Sequence, residues 1–270
     1  MPESAQFRKA AAFRALHEGE PFVIPNPWDA GSARVLEALG FCALATTSSG
    51  FAFTLGRLDG AVTLTEVIEH VRVVSSATVI PLSVDLENGH GATADAAAEA
   101  ITLAAQAGAV GGSIEDWDER NGIYSIDAAA ERVSAAAAAA RGLAHDFVLT
   151  ARAENHIRGN PDFADTITRL QAYERAGADV LYAPGLRTVQ EIHAVCTAVN
   201  RPVNVLALPG MSLPEIIGAG AQRISVGGGL AWTAAEAVAH AAQQLRDGDL
   251  AGLSSSVHVA QWLAARPTVL

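Results

Sequence analysis

Eight short apolar runs rich in β-branched residues alternate along this chain with eight longer runs of helical period, and few folds satisfy that alternation. The strand-like runs cover residues 22–26, 42–47, 80–85, 110–115, 147–152, 180–183, 203–207 and 223–227. Several are almost continuously apolar, as parallel strands covered on both faces must be. The helical runs cover residues 31–39, 64–76, 92–107, 126–141, 163–176, 188–199, 213–218 and 233–245. Gly40, Gly108, Gly177 and Gly220 follow four of them, where a left-handed residue turns helix into strand. The pattern predicts a (β/α)8 TIM-type barrel with extra N- and C-terminal helices, one domain over residues 1–270. A doubly wound sheet would carry a glycine-rich nucleotide loop after its first strand. Here Asn26–Pro27–Trp28–Asp29 stands in that place.

Composition narrows the function. A net charge of −11 with no basic cluster argues against a nucleic-acid partner. No run approaches the ~18 uninterrupted apolar residues of a membrane span, and the N-terminus lacks a signal-type apolar core. A cytoplasmic enzyme is the expectation. Cys42 and Cys196 have no metal or redox spacing and read as two buried free thiols. Lys9 is the only lysine and falls in an expected N-terminal surface helix. Imine chemistry, which needs a desolvated active-site lysine, is therefore disfavoured.

In this fold chemistry sits at the C-terminal ends of the strands. The third strand-like run ends in Asp85–Leu86–Glu87–Asn88–Gly89–His90–Gly91 and the fourth in Glu115–Asp116–Trp117–Asp118. The period of two puts Asp85 and Glu87 on one side, with Leu86 opposite. Acids converging from neighbouring strands repel one another unless a cation lies between them. Oxygen ligands without a His/Cys cluster suit Mg2+, with Mn2+ as a substitute. Asp116, Asp118, Asp95 and Asp127 read instead as solvated loop acids or residues of helix starts. Arg152, ending the fifth run, offers a planar fork to a substrate carboxylate, or pairs with Glu154 or Glu115. The Thr47–Ser48–Ser49–Gly50 segment is small and hydroxyl-rich, so its backbone allows close approach of an anion.

These motifs, with Gly56–Arg57–Leu58–Asp59 and Ala151–Arg152–Ala153–Glu154, resemble in order and spacing the isocitrate lyase/phosphoenolpyruvate mutase superfamily, on its carboxyvinyl-carboxyphosphonate phosphorylmutase-like side. The resemblance runs from about residue 22 to residue 229. It implies Mg2+ bound directly by Asp85 and through water by Glu87 and Glu115. It implies that Thr47, Ser48, Ser49 and Arg152 hold the substrate's carboxylate, with Asp59 over the bound substrate. Asp59, Arg152 and Glu115 are then the catalytic candidates, and Trp28, His90 and Asn121 further substrate-binding candidates. It also implies a homodimer or homotetramer that swaps C-terminal helices, here around residues 247–270.

The departures are as informative. The lyase branch carries a Lys-Lys-Cys-Gly-type loop between the positions of Glu115 and Arg152, and this interval holds neither Cys nor Lys. Cleavage with a cysteine acid is thereby disfavoured. The phosphonomutase branch places lysine and asparagine in that loop, and only Asn121 remains. The expectation is a Mg2+-dependent lyase or decarboxylase acting on a small 2-oxo or 2-hydroxy (di)carboxylate through a pyruvate-type enolate. A phosphonomutase and a non-catalytic 2-oxo-acid-binding barrel are the alternatives.

Overall fold

In the computed structural model, which describes residues 5–253 and 257–264, the strands follow the expected order. They are β1 (Phe22–Ile24), β2 (Leu44–Ala45), β3 (Leu82–Asp85), β4 (Gly111–Glu115), β5 (Trp117–Asp118), β6 (Gly122–Ile123), β7 (Val148–Arg152), β8 (Val180–Tyr182), β9 (Val203–Leu206) and β10 (Arg223–Ser225). Eight of them form one parallel sheet in the order β1-β10-β9-β8-β7-β4-β3-β2. At the remaining seam the Ala45 N–H donates to the Pro25 carbonyl at 3.1 Å. The sheet is a nearly closed (β/α)8 barrel. β5 and β6 form a separate antiparallel hairpin above the barrel, too short for patterning to announce.

The helices are α1 (Ala5–Leu16), α2 (Ala30–Ala38), α3 (Ser48–Thr54), α4 (Leu64–Ala77), α5 (Ala94–Gln106), α6 (Ile126–Arg141), α7 (Phe163–Ala176), α8 (Val189–Ala198), α9 (Leu213–Gly218), α10 (Gly229–Arg246) and α11 (Val257–Ala264). Thr63 with Glu66, and Thr188 with Glu191, form reciprocal boxes that satisfy the first N–H groups of α4 and α8. Gly177, at φ +102°, ends α7 in a conformation that penalises any Cβ. The α1 helix closes the N-terminal end of the barrel. Its Phe13 is fully buried among Ile24, Val110, Val148 and Val180. A Cβ at Gly111 would lie 2.5 Å from the Phe13 ring, so the plug is tight.

Several expectations need correcting. Lys9 is buried, not on a helix surface; its ammonium donates to the Ser75 and Thr78 carbonyls, both at 2.9 Å. Those carbonyls end α4 on the plugged side, so imine chemistry stays disfavoured. The cysteines are free, but Cys42 is exposed and Cys196 half-buried. The hydroxyl-rich segment after β2 is not a loop: Thr47 caps α3 by accepting from the Gly50 N–H at 3.4 Å. Residues 254–256 and 265–270 of the expected C-terminal tail lie outside the described residues. Among the described residues no helix is long and apolar enough to cross a membrane.

Candidate active site

Arg152 ends β7 in register with Glu115 of β4, and its guanidinium is surrounded by acids. Nη1 lies 3.1 Å from Asp85 Oδ1, and Nη2 lies 3.0 Å from Glu115 Oε2 and 2.6 Å from Glu154 Oε1. Nε also donates to Glu154 Oε1, at 3.0 Å. Of the two roles weighed for Arg152, the structure shows the ion pair, with Glu154 and Glu115 and with Asp85 besides. Arg158 lies 3.1 Å from Glu154 Oε2, and its guanidinium stacks 3.6 Å over the Trp117 ring.

Asp85 is the meeting point. Besides Arg152, its carboxylate accepts from the backbone N–H groups of Ser48 (3.3 Å) and Glu87 (3.2 Å), and from the Ser113 hydroxyl (3.4 Å). The strand alternation stops at Asp85, so period two does not set the direction of Glu87. Instead Glu87 turns left-handed at φ +49°, and its Oε1 is buried without a hydrogen-bond partner. Burial pushes the Glu87 carboxyl up to about 8, and the charges of Asp85 and Asp59 add to that. Glu115 is also raised well above the usual carboxylate range, by burial first; Arg152 opposes the shift, while Glu154, Asp85 and Glu87 reinforce it.

A cavity of about 160 Å³ opens beside Arg152. Ser48, Ser49 and Asp59 line its mouth, Asp85 and Arg152 its wall, and Asn204 and Arg223 its floor. Its volume lies below the ~300–1,000 Å³ of sites for drug-sized ligands, so it suits a compound of a few carbons. Asp59 stands on an exposed turn, yet desolvation raises its carboxyl above the usual range; the Ser48 hydroxyl bond opposes this, and Asp85 adds to it.

The predicted residues therefore divide. Thr47, Ser48, Ser49, Asp59, Asp85 and Arg152 line the cavity; Glu115 and Glu87 stand behind it as charged neighbours. Trp28 supports the back of α3, where a Cβ at Gly50 would meet it at 3.1 Å. His90 is left-handed at φ +55° with its Nε2 buried and unpartnered, and does not line the cavity. Asn121 is exposed in the β5–β6 turn, where its Nδ2 donates to Asp118 Oδ1 at 2.7 Å. The remnant of a phosphonomutase loop thus lies in a turn, away from the cavity wall. Asp118 organises that turn rather than standing free in solvent. Asp116 is not a solvated loop acid: it is buried and accepts from the Glu154 N–H (2.7 Å), Arg169 Nη1 (3.0 Å) and the Tyr173 hydroxyl. Sequence reasoning also missed Arg158, Asn204 and Arg223, whose roles depend on partners far away in the chain.

Among the described residues no three His, Cys, Asp or Glu side chains form a ready ligand cage. The oxygen donors of Asp85, Glu87 and Glu115 nevertheless fit a hard cation that keeps most of its waters and takes one or two carboxylates. The orphaned Glu87 oxygen is free to accept from such an ion's water shell, and the Glu87 and Glu115 carboxyls, raised by burial first and by neighbouring acids next, would be relieved by its charge.

The phosphoenolpyruvate phosphomutase family model matches residues 13–246. The chain belongs to this family. Among the chain's relatives, the oxaloacetate decarboxylase of Rhodopseudomonas palustris (strain BisB5) is 31% identical, with 92% of this chain and 90% of the relative covered. A crystal structure from Burkholderia cenocepacia J2315, provisionally described as a lyase/mutase, is 48% identical with a TM-score of 0.95, covering 98% of this chain and 99% of the other. Phosphonopyruvate hydrolase, solved with oxalate and Mg2+, is 25% identical with a TM-score of 0.83, covering 94% of both chains.

The raised Glu87 carboxyl gives this family member a pH signature. A carboxyl that holds its proton to about 8 when folded, but to an ordinary 4.5 when unfolded, stabilises the fold below the unfolded value and loses that contribution as pH rises through 8. The buried His17 and His70 and the half-buried His90, all shifted down, act oppositely near their ordinary 6.5. Between about pH 7 and pH 8 the carboxyl dominates. Thermal melts of metal-free protein should therefore show Tm falling from pH 7 to pH 8; a rising Tm would contradict the assignment.

Proposed function

We propose that the protein is a Mg2+-dependent lyase or decarboxylase of small 2-oxo or 2-hydroxy dicarboxylates, with oxaloacetate as the first substrate to test. The observation that carries this reading is the Arg152 guanidinium held among Asp85, Glu115 and Glu154 on the wall of a cavity sized for a few carbons. The oxaloacetate decarboxylase among its relatives supports it.

Asp85 would hold Mg2+, or Mn2+ in its place, with Glu87 and Glu115 acting through water. When bound, such an ion supplies Lewis-acid stabilisation of charge developing on a keto oxygen. The chain's own groups do the rest. Arg152 and the hydroxyls of Thr47, Ser48 and Ser49 orient the substrate carboxylate. In oxaloacetate the C3–C4 bond breaks, CO2 leaves, and the electron pair remains as the enolate of pyruvate. Asp59, whose raised carboxyl overhangs the cavity, supplies the proton that C3 then accepts. This route needs neither a cysteine acid nor a lysine.

The protein would work as one barrel domain in the cytoplasm, as a dimer or tetramer. In one subunit α10 buries only Ala231 and leaves Trp232 and Val238 exposed, which suits burial against a second copy. Light scattering in solution would read that mass directly. The activity test is pyruvate formation from oxaloacetate with Mg2+. EDTA should abolish it and added Mg2+ restore it; full turnover in EDTA would sink the proposal. A mass-spectrometric panel of 2-oxo and 2-hydroxy acids ranks the alternative substrates.

A further inference from the structure

Two arginines line the cavity, and they differ in one respect. Arg152 has three carboxylates around it, whereas among the described residues no carboxylate pairs with Arg223. Arg223 opens β10 and is 4% exposed. Its Nε donates to Asn204 Oδ1 at 2.8 Å and its Nη2 to Thr150 Oγ1 at 2.9 Å. Its Nη1 lies 3.4 Å from His17 Nε2. His17 Nδ1 is 2.8 Å from the Phe13 carbonyl, so Nδ1 carries the hydrogen and Nε2 is a neutral acceptor. All three partners are thus uncharged, and two of the five N–H donors remain unused.

A buried cation among neutral partners is costly, and an anion entering its pocket relieves that cost. The position is suited to one. Thr150, which holds Arg223, shares a strand face with Arg152 two residues further on, a rise of roughly 6.6 Å. The two guanidiniums therefore stand one side-chain layer apart along one small cavity. Any ligand that extends from the mouth to the floor meets an uncompensated positive charge at its inner end.

We propose that the cavity floor is an anion subsite, with Arg223 as its cation, which takes the second carboxylate of a dicarboxylate whose first lies at the level of Arg152. Arg223 is then a specificity residue that separates dicarboxylates from monocarboxylates of equal length. The identity of the ligand rests on the lyase reading above; the subsite itself rests on the unpaired charge.

The test is calorimetric binding of succinate and of butyrate to metal-free full-length protein, since the two differ by one carboxylate on four carbons. Wild type should prefer succinate. In Arg223→Gln that preference should fall about tenfold to a hundredfold, the value of one charge-assisted contact, with butyrate unchanged. Arg223→Lys should keep part of it. If Arg223→Gln fails to fold, a crystal of the wild type soaked in succinate or bromide decides, because an anion should lie within hydrogen-bond reach of Arg223. A folded Arg223→Gln that binds succinate as wild type does, no succinate binding by wild type, or a soaked cavity floor with no anion overturns the subsite. Succinate at Arg223 in a protein that turns over no member of the 2-oxo and 2-hydroxy acid panel would instead refute the lyase reading and leave the subsite standing.

Discussion

Asp85→Ala should lower kcat/KM for oxaloacetate by about 10²–10³-fold while leaving the fold intact, the scale seen when one preorganised charge contact to a transition state is removed. Four groups aim at this carboxylate: Arg152, the Ser48 and Glu87 N–H groups, and the Ser113 hydroxyl. Its removal strips the wall of the side chain proposed to touch the ion directly. Stability should change little, because Arg152 keeps Glu115 and Glu154 and its charge stays paired. Asp59 and Glu87 lose a negative neighbour that raises them, so both should titrate lower in the variant. Steady-state assays in excess Mg2+, alongside a thermal melt, separate the two effects. Activity within tenfold of wild type would remove Asp85 from its proposed role.

The barrel was legible because buried parallel strands leave little choice of residue, and all eight runs contain a strand. Glu115 was legible as a buried acid needing a partner for the same reason, since an acid flanked by strand hydrophobics has no cheap place to point, and it pairs with Arg152. Its neighbour Asp116 was not. Adjacent strand residues face opposite ways, so the acid next to a site residue enters the layer between sheet and helices. Its partners there, Arg169 and Tyr173, lie on α7, and no local pattern links them to β4. Arg223 was counted in its strand but not as an internal charge, because Asn204, Thr150 and His17 reach it from three other elements. Lys9 misled in the opposite sense. A lone lysine on an N-terminal helix looks exposed until the helix is seen to plug the barrel.

Asp116→Ala should be the costliest change to stability, on the order of 3–5 kcal/mol, as expected when one partner of a buried ion pair is removed. The carboxylate is 2% exposed and takes three donors. Burial raises its carboxyl, and the bonds from Tyr173, the Glu154 N–H and Arg169 hold the shift back. Without it, the Tyr173 hydroxyl and the Glu154 N–H lose a buried acceptor, and Arg169 keeps Asp165 as its one carboxylate among the described residues, beside the Tyr124 carbonyl. For a chain of this size the loss corresponds to a Tm drop of roughly 10 °C, and urea unfolding should show a lower midpoint at unchanged slope. Asp116→Asn keeps the shape and should cost less. The damage also reaches the site, because the Glu154 backbone anchored by Asp116 carries the carboxylate that holds Arg152 and Arg158. Glu154→Gln separates the two effects: it should weaken turnover through Arg152 while leaving the Asp116–Arg169–Tyr173 cluster whole. A Tm for Asp116→Ala within about 2 °C of wild type would mean that this cluster contributes little to stability.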